Sequence, residues 1–149
     1  MAEDAPENTD IAVVYARYQG LTEEAETLSK QLELLRTSLA DVEQGIATLS
    51  KLKELGGGVE IKLPIGGGAF VDAHIKDISS VMVSIGGGFS VERDIGGAME
   101  HLEQRKSKLS NAHEQGMRVM GEISAEIERL ASLLKQVDRL KSGTLTNIR

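Results

Sequence analysis

The sequence predicts an α+β fold: a long antiparallel coiled-coil helical hairpin with two central β-hairpins. Three observations lead there. An apolar repeat runs along each flank, a period-two pattern fills the middle, and eleven of the sixteen glycines fall between positions 56 and 97. Nine of these form the triplets Gly56 to Gly58, Gly66 to Gly68 and Gly86 to Gly88.

In the first flank Ile11, Val14, Tyr18, Leu21, Ala25, Leu28, Leu32, Leu35, Leu39, Val42, Ile46 and Leu49 are spaced by alternating steps of three and four. Such a repeat is the a and d seam of a left-handed coiled coil. The predicted helix covers residues 10–55 and follows an acidic tail, 1–9, expected to be disordered. The second flank, 95–141, repeats the seam at Ile95, Met99, Leu102, Lys106, Leu109, His113, Gly116, Met120, Ile123, Ile127, Leu130, Leu134 and Val137. A flexible tail, 142–149, is expected after it. Lys106, His113 and Gly116 are not apolar and predict a locally loose or polar stretch. Neither flank contains a proline to interrupt it, since the two prolines are Pro6 and Pro64. A lone helix with a narrow apolar stripe is marginal in water, and two of matched length bury both stripes by folding back on each other. Residues whose numbers sum to about 150 should then face one another, for example Leu32 and the Arg118 to Met120 turn.

Between the flanks, in residues 56–94, Val59, Ile61, Leu63 and Ile65 alternate with Glu60, Lys62 and Pro64. Period two means strands. Further runs cover Ala69 to Ile75, Val81 to Ile85 and Phe89 to Arg93. Two glycine triplets sit between paired runs, where three-residue loops need positive φ, so the strands form two hairpins. Two isolated hairpins hold little core, and their edges call for pairing with other chains.

Composition excludes several functions. Seventeen Lys and Arg against twenty-three Asp and Glu give a net charge of −6, the wrong sign for a duplex nucleic-acid binder. Without cysteine there is no disulfide, thiolate zinc site or thiol nucleophile. Apolar runs are far too short to span a bilayer, and the acidic start Met1 to Asp10 lacks the basic region of a secretory signal, so a cytoplasmic address is expected. The glycine triplets do not have phosphate-cradling spacings. His74, His101 and His113 have no partner at metal-ligand spacing, so no metal, cofactor or catalytic residue is expected, and the chain reads as a binding protein rather than an enzyme. His113 on the seam reads as a polar layer that sets register, and Lys106 as a side chain whose head reaches out of the seam.

Two coiled-coil arms flanking two glycine-turned hairpins, together with the stretch LPIGGGAFVDAHIKDISSVMVSIGGGFSVE, resemble the alpha class of the prefoldin family, especially its archaeal form. The likeness runs from about Ile11 to Lys141 and is strongest over Leu63 to Glu92. Gly96 and Gly97 depart from the better helix formers expected at the start of the second helix, where Asp94 is placed to act as N-cap. The resemblance implies a hexamer of two alpha and four beta subunits, with hairpins joined in an oligomeric β-barrel and the arms hanging free. It implies an ATP-independent holdase that captures nonnative proteins at the coiled-coil tips and passes them to a group II chaperonin.

Extra apolar residues beside the seam near the chain ends suit such capture, because exposed apolar groups on a protein surface mark interaction sites. The expected client-binding residues are Ile11, Val13, Val14, Tyr15, Tyr18, Leu133, Leu134, Val137 and Leu140. The expected assembly residues are Val59, Ile61, Leu63, Phe70, Val71, Val81, Val83, Ile85, Phe89 and Val91. A structural coiled-coil scaffold or tether that self-associates through its hairpins is the alternative reading.

Overall fold

The computed structural model describes residues 5–146, and their side chains over 10–143. Six elements follow in order: α1 (Ala5–Leu55), β1 (Val59–Gly66), β2 (Ala69–Ile75), β3 (Val81–Gly86), β4 (Phe89–Arg93) and α2 (Ile95–Thr146). α1 begins five residues ahead of the expected start. Its first turn holds Pro6, at a position where a helix needs no N–H. α2 likewise runs five residues past its expected end, through Thr146. Residues 1–4 and 147–149 of the expected tails lie outside the described residues.

Both inner helix ends are capped. At the end of α1 the Gly56 N–H donates to the Leu52 carbonyl over 3.1 Å with φ at 74°, a left-handed stop that glycine adopts without penalty. At the start of α2 the Gly97 N–H donates to Asp94 Oδ1 over 2.8 Å. A Cβ on Gly97 would lie 2.7 Å from that same oxygen. The glycine that looked out of place in a helix start therefore makes room for the cap.

The chain divides into two compact units, one formed by the segments up to Leu35 and from Ala112 onward, the other by Arg36–Asn111. In the first unit Leu21, Ile123 and Leu130 form a buried core against which Val14, Tyr18, Ala25, Leu28 and Ile127 pack. The two helical segments run antiparallel there, and every seam position from Ile11 to Leu35 is buried or half-buried. Gly116 is closely packed, contrary to the expectation of looseness: a Cβ on it would lie 2.7 Å from Leu32 Cδ2. The leucine fills the space a larger residue at 116 would take. Leu32 thus faces Gly116 itself, slightly before the 118–120 turn predicted from the sequence.

In the second unit Leu49, Val83 and Ala98 form the core, joined by Val81, Val91, Ile95, Met99 and Leu102. Lys106 reaches across its seam to Glu43 at 3.4 Å, which settles a charged side chain at an a-like position. The strands form two separate two-stranded antiparallel sheets, β1 with β2 and β3 with β4. Each loop is two residues long rather than three. Gly66 pairs with Ala69 and Gly86 with Phe89, after a register shift that leaves Ile65 and Ile85 as the extra residue of a bulge. The two turns are repeats of one device: φ is 103°, 59° and 78° over Gly66 to Gly68, and 100°, 60° and 78° over Gly86 to Gly88. Successive positive φ values suit the primed turns that match strand twist.

Candidate functional site

The hairpins have the same local geometry and different surroundings. Val81, Val83 and Val91 of the second hairpin enter the core beside Leu49 and Ala98, with Val83 only 6% exposed. His101 Nε2 lies 3.2 Å from the Ser84 carbonyl oxygen, to which it donates, and Ser80 Oγ donates to Glu92 Oε1 across the base of β3 and β4. No residue of the first hairpin belongs to that core. At its base the Gly58 N–H donates to the carbonyls of Ile75 (3.0 Å) and Lys76 (3.3 Å).

Register sorts the first hairpin into two faces. Val59, Ile61 and Leu63 stand opposite Ile75, Ala73 and Val71 on an apolar face, which is half-buried at its base and exposed at Leu63 and Val71 toward the turn. The other face pairs Glu60 with His74, Lys62 with Asp72 and Pro64 with Phe70, and Lys62 forms an ion pair with Asp72. Phe70 is 61% exposed, and on the second hairpin Met82 and Phe89 are more than 70% exposed. Every strand has one neighbour only among the described residues, so each leaves an open edge.

Of the ten expected assembly residues, Val81, Val83 and Val91 are thus placed in the chain's own core. Val59 and Ile61 are half-buried, while Leu63, Phe70, Val71, Ile85 and Phe89 face solvent. Ile65 and Met82 are exposed as well, and sequence reasoning passed over both. Ile65 is turned out by the bulge. Met82 lies on the face opposite Val81 and Val83, where alternation predicts a polar residue.

Near the ends of the arms, Ile11, Tyr15, Tyr18 and Leu134 come together with Ala12, Ala131, Lys135 and Asp138 around an open groove of about 590 Å³. Val14 packs against the adjacent core, and Val137 is half-buried. Val13, Leu133 and Leu140 are exposed and line no part of that groove. Ala12 and Ala131 were not expected at a binding site, because their contribution is the absence of a side chain beyond Cβ. Nearby, Arg129 donates to both carboxylate oxygens of Glu126 at 2.7 and 2.8 Å. This hydrogen bonding, with the charges of Arg129 and Arg17, holds the Glu126 carboxyl below its ordinary range, and the same bonds with the Glu126 charge raise the Arg129 guanidinium. Among the described residues no three acidic or histidine side chains gather as a metal site. Among the described residues no helix is long and apolar enough to cross a membrane.

Long seamed helices before and after two small hairpins in the chain, with apolar side chains left on open strands, define a subunit built to associate. The family model for prefoldin subunits matches residues 21–140. The chain is 36% identical over 118 residues to prefoldin subunit alpha of Methanococcoides burtonii, covering 79% of this chain and 83% of that one. It is 32% identical over 141 residues to prefoldin subunit alpha of Pyrococcus horikoshii, covering 94% and 95%. A chain from the cryo-EM structure of filamentous PFD from Methanocaldococcus jannaschii superposes with a TM-score of 0.67 at 27% identity, covering 79% of this chain and 98% of that one. The chain belongs to the prefoldin family, as its glycine-turned hairpins and arms had suggested. Prefoldins are chaperones, and the role of this chain is of that type.

Proposed function

We propose that this chain is an alpha-class holdase subunit in a hexamer of two alpha and four beta subunits. The observation that carries the reading is the set of apolar side chains exposed beside open strand edges: Leu63, Ile65, Phe70, Val71, Met82, Ile85 and Phe89. An edge strand left in this state invites another chain. Pairing those edges with beta-subunit strands builds the shared β-barrel and buries the apolar groups, while Val81, Val83 and Val91 keep the second hairpin on its own helices.

The tips then hold nonnative proteins in the cytoplasm and hand them to a group II chaperonin. Capture by apolar contact follows from area removed from water, at roughly 25 cal/mol per Å², and requires neither nucleotide hydrolysis nor metal. The test is the suppression of aggregation of a client diluted from denaturant, in the absence of ATP, by the assembled complex. Removing residues 1–18 and 137–149 should abolish suppression and leave the assembly intact. Full activity after that removal would contradict capture at the tips.

A further inference from the structure

We infer that capture occurs on one flank of the tip, where Ala12 and Ala131 floor a slot that admits bulky apolar side chains of a nonnative segment. The inference rests on the holdase reading above and narrows it to a single groove. At about 100° per residue, Ala12 and Tyr15 project to one side of the seam through Ile11 and Tyr18, and Val13 points to its back. On α2, Ala131, Lys135 and Asp138 lie to one side of Leu130 and Leu134, whereas Leu133 and Leu140 lie to the other. The exposed apolar residues at the tip therefore do not form one patch.

The first of these flanks is concave. The alanines end at Cβ, and Ile11, Tyr15, Tyr18 and Leu134 stand around them. At about 590 Å³ the groove has room for more than one bulky side chain, since an apolar cavity of about 150 Å³ holds a benzene ring. It is open, so the backbone carrying those side chains can continue past it. The other flank carries Glu126 and Arg129 beside Leu133, on the i, i+3 and i+7 positions of one helix face. Their hydrated charges oppose dry apolar contact.

The rim identifies the occupant. Lys135 and Asp138 contribute one charge of each sign, so the groove selects neither acidic nor basic sequences, as suits segments of an unfolded chain. A second copy fits poorly: eight residues line the groove, against roughly 20–30 on each side of a standard protein interface.

The test turns on the sign of an effect. Ala131→Trp adds exposed apolar surface and at the same time fills the slot, and Ala12→Trp fills it from the opposite wall. With the full-length chain and fluorescein-labelled, reduced and carboxymethylated α-lactalbumin as the permanently unfolded probe, each variant should bind about tenfold more weakly by fluorescence anisotropy. Tyr15→Ser should weaken binding in the same direction. Leu133→Ser with Leu140→Ser should change it less than about twofold. Far-UV circular dichroism identifies any variant that fails to fold, and the two tryptophan substitutions stand on different helices so that one can replace the other. Unchanged or tighter binding by the tryptophan variants, or loss confined to the Leu133 and Leu140 variant, overturns the groove and leaves tip capture standing. Failure of the unsubstituted chain to bind the probe overturns both.

Discussion

Val83 and Phe70 occupy comparable apolar strands, and their truncation should have opposite consequences. Val83 is 6% exposed and touches a core containing Leu49 and the fully buried Ala98. Val83→Ala removes two methyl-sized groups, about 1.6 kcal/mol at ~0.8 kcal/mol each, and a residual cavity brings the total to about 2–3 kcal/mol. Phe70 is 61% exposed within the chain, so Phe70→Ala should cost its fold less than about 1 kcal/mol. Urea unfolding followed by far-UV circular dichroism should show a midpoint lowered by about 1 M for Val83→Ala and nearly unchanged for Phe70→Ala. In native mass spectrometry with a beta-class partner the order should reverse, with Phe70→Ala and more strongly Phe70→Asp losing the complex. Equal destabilisation by both, or full assembly by Phe70→Asp, would refute the division between strand residues that pack on the chain's own core and those that join another chain.

Three further comparisons test the helix packing, the α2 cap and the Glu126 ion pair. Gly121→Ala meets no atom within 4 Å and should stabilise the chain by about 1 kcal/mol through helix propensity, whereas Gly116→Ala drives a Cβ to 2.7 Å from Leu32 Cδ2 and should give no gain or a loss; equal thermal shifts would contradict the close approach. Asp94→Ala removes the acceptor for the Gly97 N–H and should cost about 1 kcal/mol in urea unfolding, while Asp94→Asn retains most of the stability. Glu126 has its carboxyl lowered by the Arg129 hydrogen bonds, so its contribution is present above the ordinary glutamate range and is lost as pH falls through the lowered value; the small stability difference between the chain and Glu126→Gln should shrink on acidification, and a difference that grows would contradict the sign.

Much of the architecture is legible in the residues because it rests on simple periods. Steps of three and four place every seam position from Ile11 to Val137 on a buried or half-buried face, including His113 and Lys106. Period two likewise yields the four strands, and the glycine triplets their turns. What remained hidden depends on atoms that meet across the fold. Gly116 looks like a weak point until Leu32 is seen in the space beside it, and Gly97 looks like a poor helix former until Asp94 caps its N–H. Alternation also cannot distinguish Val83, which finds Leu49 and Ala98, from Leu63 at the equivalent place in the other hairpin, which belongs to no buried cluster. At the tip, apolar character marks Val13 and Leu133, but concavity comes from Ala12 and Ala131.

The two repeats of the Ile-Gly-Gly-Gly turn thus serve different ends with nearly the same backbone. One hairpin is seated on its own helices through three valines, and the other carries its apolar face outward from a base held by Gly58. In the proposed assembly, burial of that second face falls to another chain, which would make association part of the stability of the protein.

Native mass spectrometry of this chain mixed with a beta-class prefoldin subunit tests the central claim most directly. A species containing two copies of this chain and four of the partner is the predicted result. Homodimers alone, or a one-to-one complex with a folded partner, would contradict the account and favour a scaffold.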